Sequence, residues 1–178
     1  MAFFADLNFD AQTKLVVKEL VEQQGIFSFV CGTSAAGGMA VKDYLRDNKV
    51  IWVGPATSVE EYVFPVNPYL FTIMPLYEDE ASILTKYVVE KLKMKKIGIL
   101  YQNDAYGKNG LKGVLQRLKK YRMEPAAQIP VEPTEQDLAS QMQKFKSSGA
   151  QAVLMWVTPK TAVIALKTSK SMGYTPQW

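Results

Sequence analysis

Short apolar runs alternate along the chain with segments whose apolar residues recur every three or four positions. Ala2–Ala5, Phe27–Cys31, Val50–Val53, Tyr69–Met74, Ile97–Tyr101 and Ala152–Val157 have the length and composition of strands. Ala126–Val131 is a poorer one, because Pro125 and Pro130 remove ladder donors, and it reads as an edge. Between these runs the period changes to that of a helix. Asp10 is placed to cap the first helix, with Val16, Val17, Leu20 and Val21 inward and Gly25 at its end. A second follows Gly38 with Ala40, Val41, Tyr44 and Leu45 inward, and a third repeats Leu84, Val88 and Leu92. Leu111, Val114, Leu115 and Leu118 mark a fourth. Thr134–Asp137 resembles a capping box for a fifth, which carries Leu138, Met142 and Phe145 and closes at Gly149. Thr158-Pro159 opens the last, and Gly173 ends it.

Strands and helices alternating at this spacing imply parallel βαβ units with right-handed crossovers, hence an α/β fold of doubly wound parallel sheets. The chain opens directly in a strand and stops at Tyr174–Trp178, where another strand should be starting, so it reads as a fragment. Three of the strands run into polar turns: Val30–Gly38, Val53–Ser58 and Tyr101–Gly107. Their recurrence matters because an open parallel sheet binds ligands at the carboxyl ends of its strands.

Composition narrows the chemistry. The 178 residues are 48% hydrophobic, enough for a real core, and no apolar run reaches the roughly 18 residues that span a bilayer. Met1–Asp6 lacks the charged flank and apolar length of a signal peptide. There is no histidine, which removes the imidazole base, the Ser-His and Cys-His nucleophile pairs and histidine metal ligands. Glu78-Asp79-Glu80 clusters acids, but at a helix start, where they complement the macrodipole. The net charge of +4 comes from dispersed lysines, densest at Lys91, Lys93, Lys95 and Lys96. With no aromatic platform among them they read as a solvated face, not a nucleic-acid patch. Cys31, the single cysteine, excludes an internal disulfide and is expected to be a buried thiol at the end of an apolar run. No metal site and no cofactor are expected.

Gly32 and Gly37 have the spacing of a phosphate-binding loop, but Gly38 and Met39 stand where that loop needs lysine and a hydroxyl. Gly32-Thr33-Ser34 also lacks the second glycine of a dinucleotide fingerprint. Two readings of this turn stay open: a helix N-terminus whose free amides attract a small carboxylate, or small residues that let strand and helix pack closely.

Asn8-Phe9-Asp10-Ala11 before a helix, Ala40-Val41-Lys42-Asp43-Tyr44-Leu45, Pro55-Ala56-Thr57-Ser58, Asn67-Pro68-Tyr69-Leu70-Phe71 and residues 99–107 follow one another in a telling order. Together they resemble the type I periplasmic binding proteins, and most nearly the branched-chain amino-acid (Leu/Ile/Val-type) substrate-binding proteins of ABC transporters. The likeness runs from Ala2 to Trp178, and by it the chain lacks the family's first strand-helix unit and most of its C-terminal half.

The resemblance implies two lobes, with residues 1–76 part of the first, 77–178 part of the second and a hinge crossing near 75–79. It implies non-catalytic binding of a small solute, an amino acid or another small organic acid or amide, held between the lobes for delivery to an ABC transporter permease. It points to Ser34, Ala35 and Ala36, to Ala56, Thr57 and Ser58, to Tyr77 and Tyr106, and to Thr158 as ligand contacts. It places the protein in the periplasm or outside the cell. Tyr77 stands where leucine-type binders carry an acid, and with Tyr106 it is suited to sandwich a flat group. A ligand-sensing regulator or receptor domain on the same fold is the alternative, followed by a carboxylate-based α/β enzyme using Glu78 or Asp104. A truncated sheet with bare edges is expected to self-associate.

Overall fold

The computed structural model describes residues 10–178, so the expected Ala2–Ala5 strand and Asn8-Phe9 lie outside the described residues. The chain divides into two compact units between Tyr77 and Glu78. Unit 1 contains α1 (Asp10–Glu22), β1 (Ser28–Val30), α2 (Ala35–Asp47), β2 (Ile51–Val53), α3 (Glu60–Val63) and β3 (Leu70–Phe71). Its sheet is parallel in the order β1-β2-β3, with Phe29 opposite Trp52 and Trp52 opposite Leu70.

Alternation along these short strands separates two faces. Phe29, Trp52 and Leu70 are buried together with Val41 and Leu45 of α2, whereas Val30, Ile51, Val53 and Phe71 point the other way and are exposed, Val30 to 58% and Phe71 to 52%. An apolar pattern on both faces is what a parallel strand covered on both sides needs. Here only one face is covered by the described residues. The expected strand over Tyr69–Met74 shortens to Leu70–Phe71, and Val16 of α1 is 38% exposed, the inward positions being Thr13 and Val17.

The helix α4 (Tyr77–Glu90) begins with the last residue of unit 1 and otherwise belongs to unit 2, which continues with β4 (Ile97–Gln102), α5 (Ala105–Lys120), β5 (Ala127–Val131), α6 (Ala139–Ser148), β6 (Ala152–Trp156) and α7 (Pro159–Ser171). The sheet is parallel in the order β5-β4-β6, so the proline-bearing strand is at an edge, and Gln177 pairs in parallel with Ala152 beyond β6. Ile97, Ile99, Leu154 and Trp156 pack with Val88 of α4 and Val114 and Leu118 of α5. On the opposite face Leu100, Ile129 and Val153 pack with Met142 and Phe145 of α6 and Ala165 of α7. Unit 2 is thus a three-layer α/β/α arrangement, each outer layer holding a pair of helices.

Three helix details differ from the sequence expectation. Leu84 is exposed, because α4 buries the Ala81, Thr85 and Val88 stripe instead, with the Thr85 hydroxyl donating to the Ala81 carbonyl at 2.7 Å. The capping box at Thr134–Asp137 does not form: α6 starts at Ala139, Asp137 Oδ1 accepts from the Ala139 amide at 2.9 Å, and Glu135 turns back to Gln141 and the Glu132 amide. α3 was not foreseen, since one turn is too short to show a period.

Candidate functional site

The turn after β1 is shorter than its glycines suggest. Ser34 is the N-cap of α2, its hydroxyl accepting from the Gly37 amide at 3.0 Å, so Ala35 through Gly38 are already helical. The helix tolerates glycine there because of close approach. A Cβ on Gly38 would collide with the Tyr62 hydroxyl and come within 2.8 Å of the Trp52 ring. Tyr62 is fully buried and lies against Trp52 with ring centroids 5.6 Å apart, and its hydroxyl stands 3.3 Å from the carbonyls of both Ser34 and Ala35. Burial, with the nearby Tyr77 and Glu61, pushes the Tyr62 phenol well above its ordinary range. Sequence reasoning missed Tyr62 and Trp52. Nothing in a one-turn helix or a three-residue strand announces that its aromatic ring floors a neighbouring turn.

Cys31 is exposed, contrary to the buried thiol expected. Its backbone is left-handed, at φ 66°, which turns the chain out of β1. The Cys31 carbonyl accepts from Trp52 Nε1 at 2.6 Å and its amide donates to Val53.

The β2 turn is bonded to the β1 turn. The Ala56 amide donates to the Gly32 carbonyl at 2.7 Å, and Ala56 is exposed beside it. Thr57 and Ser58 are completely buried. Thr57 Oγ1 accepts from the Tyr77 hydroxyl at 3.0 Å, the Ser58 carbonyl accepts from the Tyr77 amide at 3.1 Å, and the Ser58 hydroxyl has no partner among the described residues. In unit 1, therefore, half-buried Ser34 and Ala36, exposed Ala56 and half-buried Tyr77 present atoms outward, while Ala35, Thr57 and Ser58 support them from within.

In unit 2, Asp104 caps α5 by accepting from the Gly107 amide at 3.0 Å, which puts Tyr106 in the first turn of the helix and not in a loop. Tyr106 is half-buried against the α4-α5 side of the core. Thr158 caps α7 through backbone geometry, its hydroxyl meeting that of Thr161 at 3.1 Å. Because β4 and β6 are parallel neighbours, Tyr106 and Thr158 follow the carboxyl ends of adjacent strands. Glu78 is engaged by Lys112 at 2.9 Å. Among the described residues no group of His, Cys, Asp or Glu is arranged to hold a metal ion.

A family model described as periplasmic binding protein matches residues 5–178. The chain belongs to this family. A "Leu/Ile/Val-binding protein homolog 3" of Brucella melitensis biotype 1 is 25% identical over 126 residues, covering 70% of this chain and 34% of that one. Among solved structures, a branched chain amino acid ABC transporter from Thermus thermophilus with bound valine superposes with a TM-score of 0.84 at 17% identity, covering 96% of this chain and 44% of its own. A solute binding protein of an ABC transporter from Rhodopseudomonas palustris HaA2, in complex with p-hydroxybenzoic acid, gives 0.85 at 16% identity over 97% of this chain and 47% of its own. At these identities the structural likeness establishes the fold of a periplasmic binding protein. The chain spans about a third of the curated relative and under half of each solved chain.

Proposed function

We propose that this chain binds a small organic solute reversibly, without covalent chemistry, as part of the substrate-binding component of an ABC transporter working in the periplasm or outside the cell. The observation that carries this reading is the joined pair of strand-end turns in unit 1, with Ala56 bonded to Gly32 and Ser34 opening a 13-residue helix. The first amides of that helix, at Ala35 and Ala36, and the Ser34 hydroxyl suit a carboxylate. Ala56 offers a backbone carbonyl to a donor, and Thr57 and Ser58 hold that turn rigid from below. Tyr77 presents an aromatic edge from the same unit, and Tyr106 and Thr158 are the contacts that unit 2 contributes. Residues 1–76 are read as part of the first lobe, 77–178 as part of the second, with the crossing near 75–79.

An amino acid and an aromatic acid both fit these groups, and the two solved neighbours named above hold valine in one case and p-hydroxybenzoic acid in the other. The absence of an acid at Tyr77 favours a ligand that needs a flat apolar contact there over one that needs its ammonium paired. Thermal unfolding with valine, leucine and 4-hydroxybenzoate, followed by calorimetric titration of any hit, tests the reading. Saturable stabilisation with the solute recovered unchanged is expected, greater for the aromatic acid. No stabilisation by any small carboxylate, or its conversion to product, would refute it.

A further inference from the structure

Charge is divided unevenly along the chain. Sixteen of the 21 basic residues and nine of the 17 acids lie in residues 78–178, a net of +7 in a protein whose total is +4. Topology then sorts these charges within unit 2. Its strands are parallel, so each returning helix ends where the next strand begins, and all helix C-termini share one end of the sheet.

That end is basic at every junction. Lys91, Lys93, Lys95 and Lys96 lie between α4 and β4, all exposed. Lys119, Lys120 and Arg122 lie at the close of α5, also exposed. Lys146 lies in the last turn of α6 and Lys170 in that of α7, with Lys144 and Lys167 just before those turns, all exposed. The only acids there are Glu90 and Glu124; the other seven acids of unit 2 sit at the opposite end, by the helix N-termini. Glu90 is engaged by the Tyr121 hydroxyl at 2.7 Å, a bond that joins the ends of α4 and α5. Lys146 Nζ donates to the Met172 carbonyl at 2.8 Å, joining the ends of α6 and α7. The Gln151 side-chain oxygen accepts from the amides of Lys95 and Lys96, so the junctions before β4 and β6 are contiguous as well. Among the described residues none of these eleven basic side chains forms a salt bridge.

Helix macrodipoles favour cations in a last turn, but the effect falls off within that turn. It does not reach Lys93, Lys95, Lys96 or Arg122, which lie beyond the helices and only add mutual repulsion. We propose that this end of unit 2 is an electrostatic docking surface for a bilayer of anionic lipid headgroups. Ten of the eleven side chains are lysines, hydrated point charges suited to a diffuse layer of headgroups and lacking the planar fork that reads individual phosphates or bases. The charges spread across four helix ends instead of following one groove, as a nucleic-acid backbone would require. Of the large exposed apolar residues of unit 2, Ile83, Leu84, Val163 and Leu166 lie in the bodies of α4 and α7 and Tyr87 alone reaches the last turn of α4, so no continuous apolar wedge accompanies the charge and attachment is peripheral and salt-sensitive. This proposal rests on unit 2 alone and stands or falls separately from solute binding.

The test is co-sedimentation of the whole chain with vesicles of phosphatidylglycerol and phosphatidylcholine in equal parts. Binding is expected at low ionic strength and release at about 0.5 M salt, where the Debye length falls to a few ångströms. Pure phosphatidylcholine vesicles should leave the protein in solution. Replacing Lys93, Lys95 and Lys96 with Gln should weaken binding about a hundredfold at roughly a factor of five per lysine. Replacing Lys119, Lys120 and Arg122 should do the same by an independent route, so a folding defect in one variant does not decide the matter. Removing an equal charge from unit 1 with Lys14→Gln, Lys18→Gln and Lys49→Gln should leave affinity within a few-fold. An equal loss in that control, no binding at low salt, or tighter binding to duplex DNA or polyglutamate than to the vesicles at matched salt would overturn the proposal.

Discussion

Tyr77 and Thr57 are hydrogen-bonded to each other, the phenol donating to Thr57 Oγ1 at 3.0 Å. Both are proposed to serve a ligand, yet Thr57 is wholly buried, so its hydroxyl positions the ring instead of reaching solute. Thr57→Val removes the acceptor from a half-buried phenol and is expected to cost about 1–2 kcal/mol, Tyr77→Phe about 1 kcal/mol. The double variant should cost less than the two losses added, because neither polar group is then left behind. Urea unfolding of the four proteins gives the coupling, and strict additivity would show that the bond contributes nothing. Affinity for an aromatic acid should fall further with Tyr77→Ala than with Tyr77→Phe.

Gly113, like Gly38, is a glycine required by proximity. A Cβ there would run into the backbone of Glu78, with the Cα at 2.7 Å. Alanine normally gains about 1 kcal/mol in a helix interior, so stabilisation is the naive expectation for Gly113→Ala. Backbone cannot step aside as a side-chain tip can, and a net loss of about 1–3 kcal/mol is expected. A raised urea midpoint would contradict the close α4-α5 contact.

Tyr62 and Tyr174 govern behaviour in alkali. Burial holds both phenols above the ordinary tyrosine value of 10.0, Tyr174 being pushed up to about 12. The folded chain therefore keeps protons that the unfolded chain has released, and their stabilising contribution is complete below pH 10 and lost as pH rises through the folded values. Unfolding midpoints should decline above pH 10, less steeply in Tyr174→Phe, a variant that also gives up the Tyr174 hydrogen bond to the Ala150 carbonyl. Identical slopes for the variant and the parent would disprove the assignment to Tyr174.

Much of this architecture was legible beforehand, and the gaps have physical causes. Unit 2 could be read closely because its strands are five or six residues long and its helices ten or more, enough for a period to declare itself. Gly149 and Gly173 ended their helices in left-handed backbone as their position implied. Unit 1 was harder. Its strands are two or three residues long, and Gly37 and Gly38, which look like loop, lie in the helix that Ser34 caps and are glycines because Thr13, Tyr62 and Trp52 occupy the space a side chain would take. That is a tertiary constraint, invisible to local pattern.

Cys31 was misjudged for a related reason: alternation after buried Phe29 and exposed Val30 would turn it inward, but the strand stops at Val30 and the left-handed backbone of Cys31, at φ 66°, leaves the thiol exposed. It is expected to react with a water-soluble disulfide reagent in the native protein at a rate close to that in urea. Protection by 100-fold or more would contradict its exposure.

The face of unit 1 that the described residues leave uncovered bears on solution behaviour. Val30, Ile51, Val53 and Phe71 form an apolar patch on one side of a parallel sheet, and the 178-residue chain is expected to self-associate through it. Light scattering should show species larger than a monomer, and Val30→Lys with Phe71→Lys should shift them toward monomer. A parent protein that is a monodisperse monomer would refute this.

The hydrogen bond from the Ala56 amide to the Gly32 carbonyl has a mechanical reading. Two turns that share a rivet cannot move apart independently, so a substitution in either is felt by whatever rests on both. On the proposed reading of these turns as ligand contacts, selectivity is a property of the plate they make together, and changing ligand preference would mean redesigning the plate, not one residue at a time.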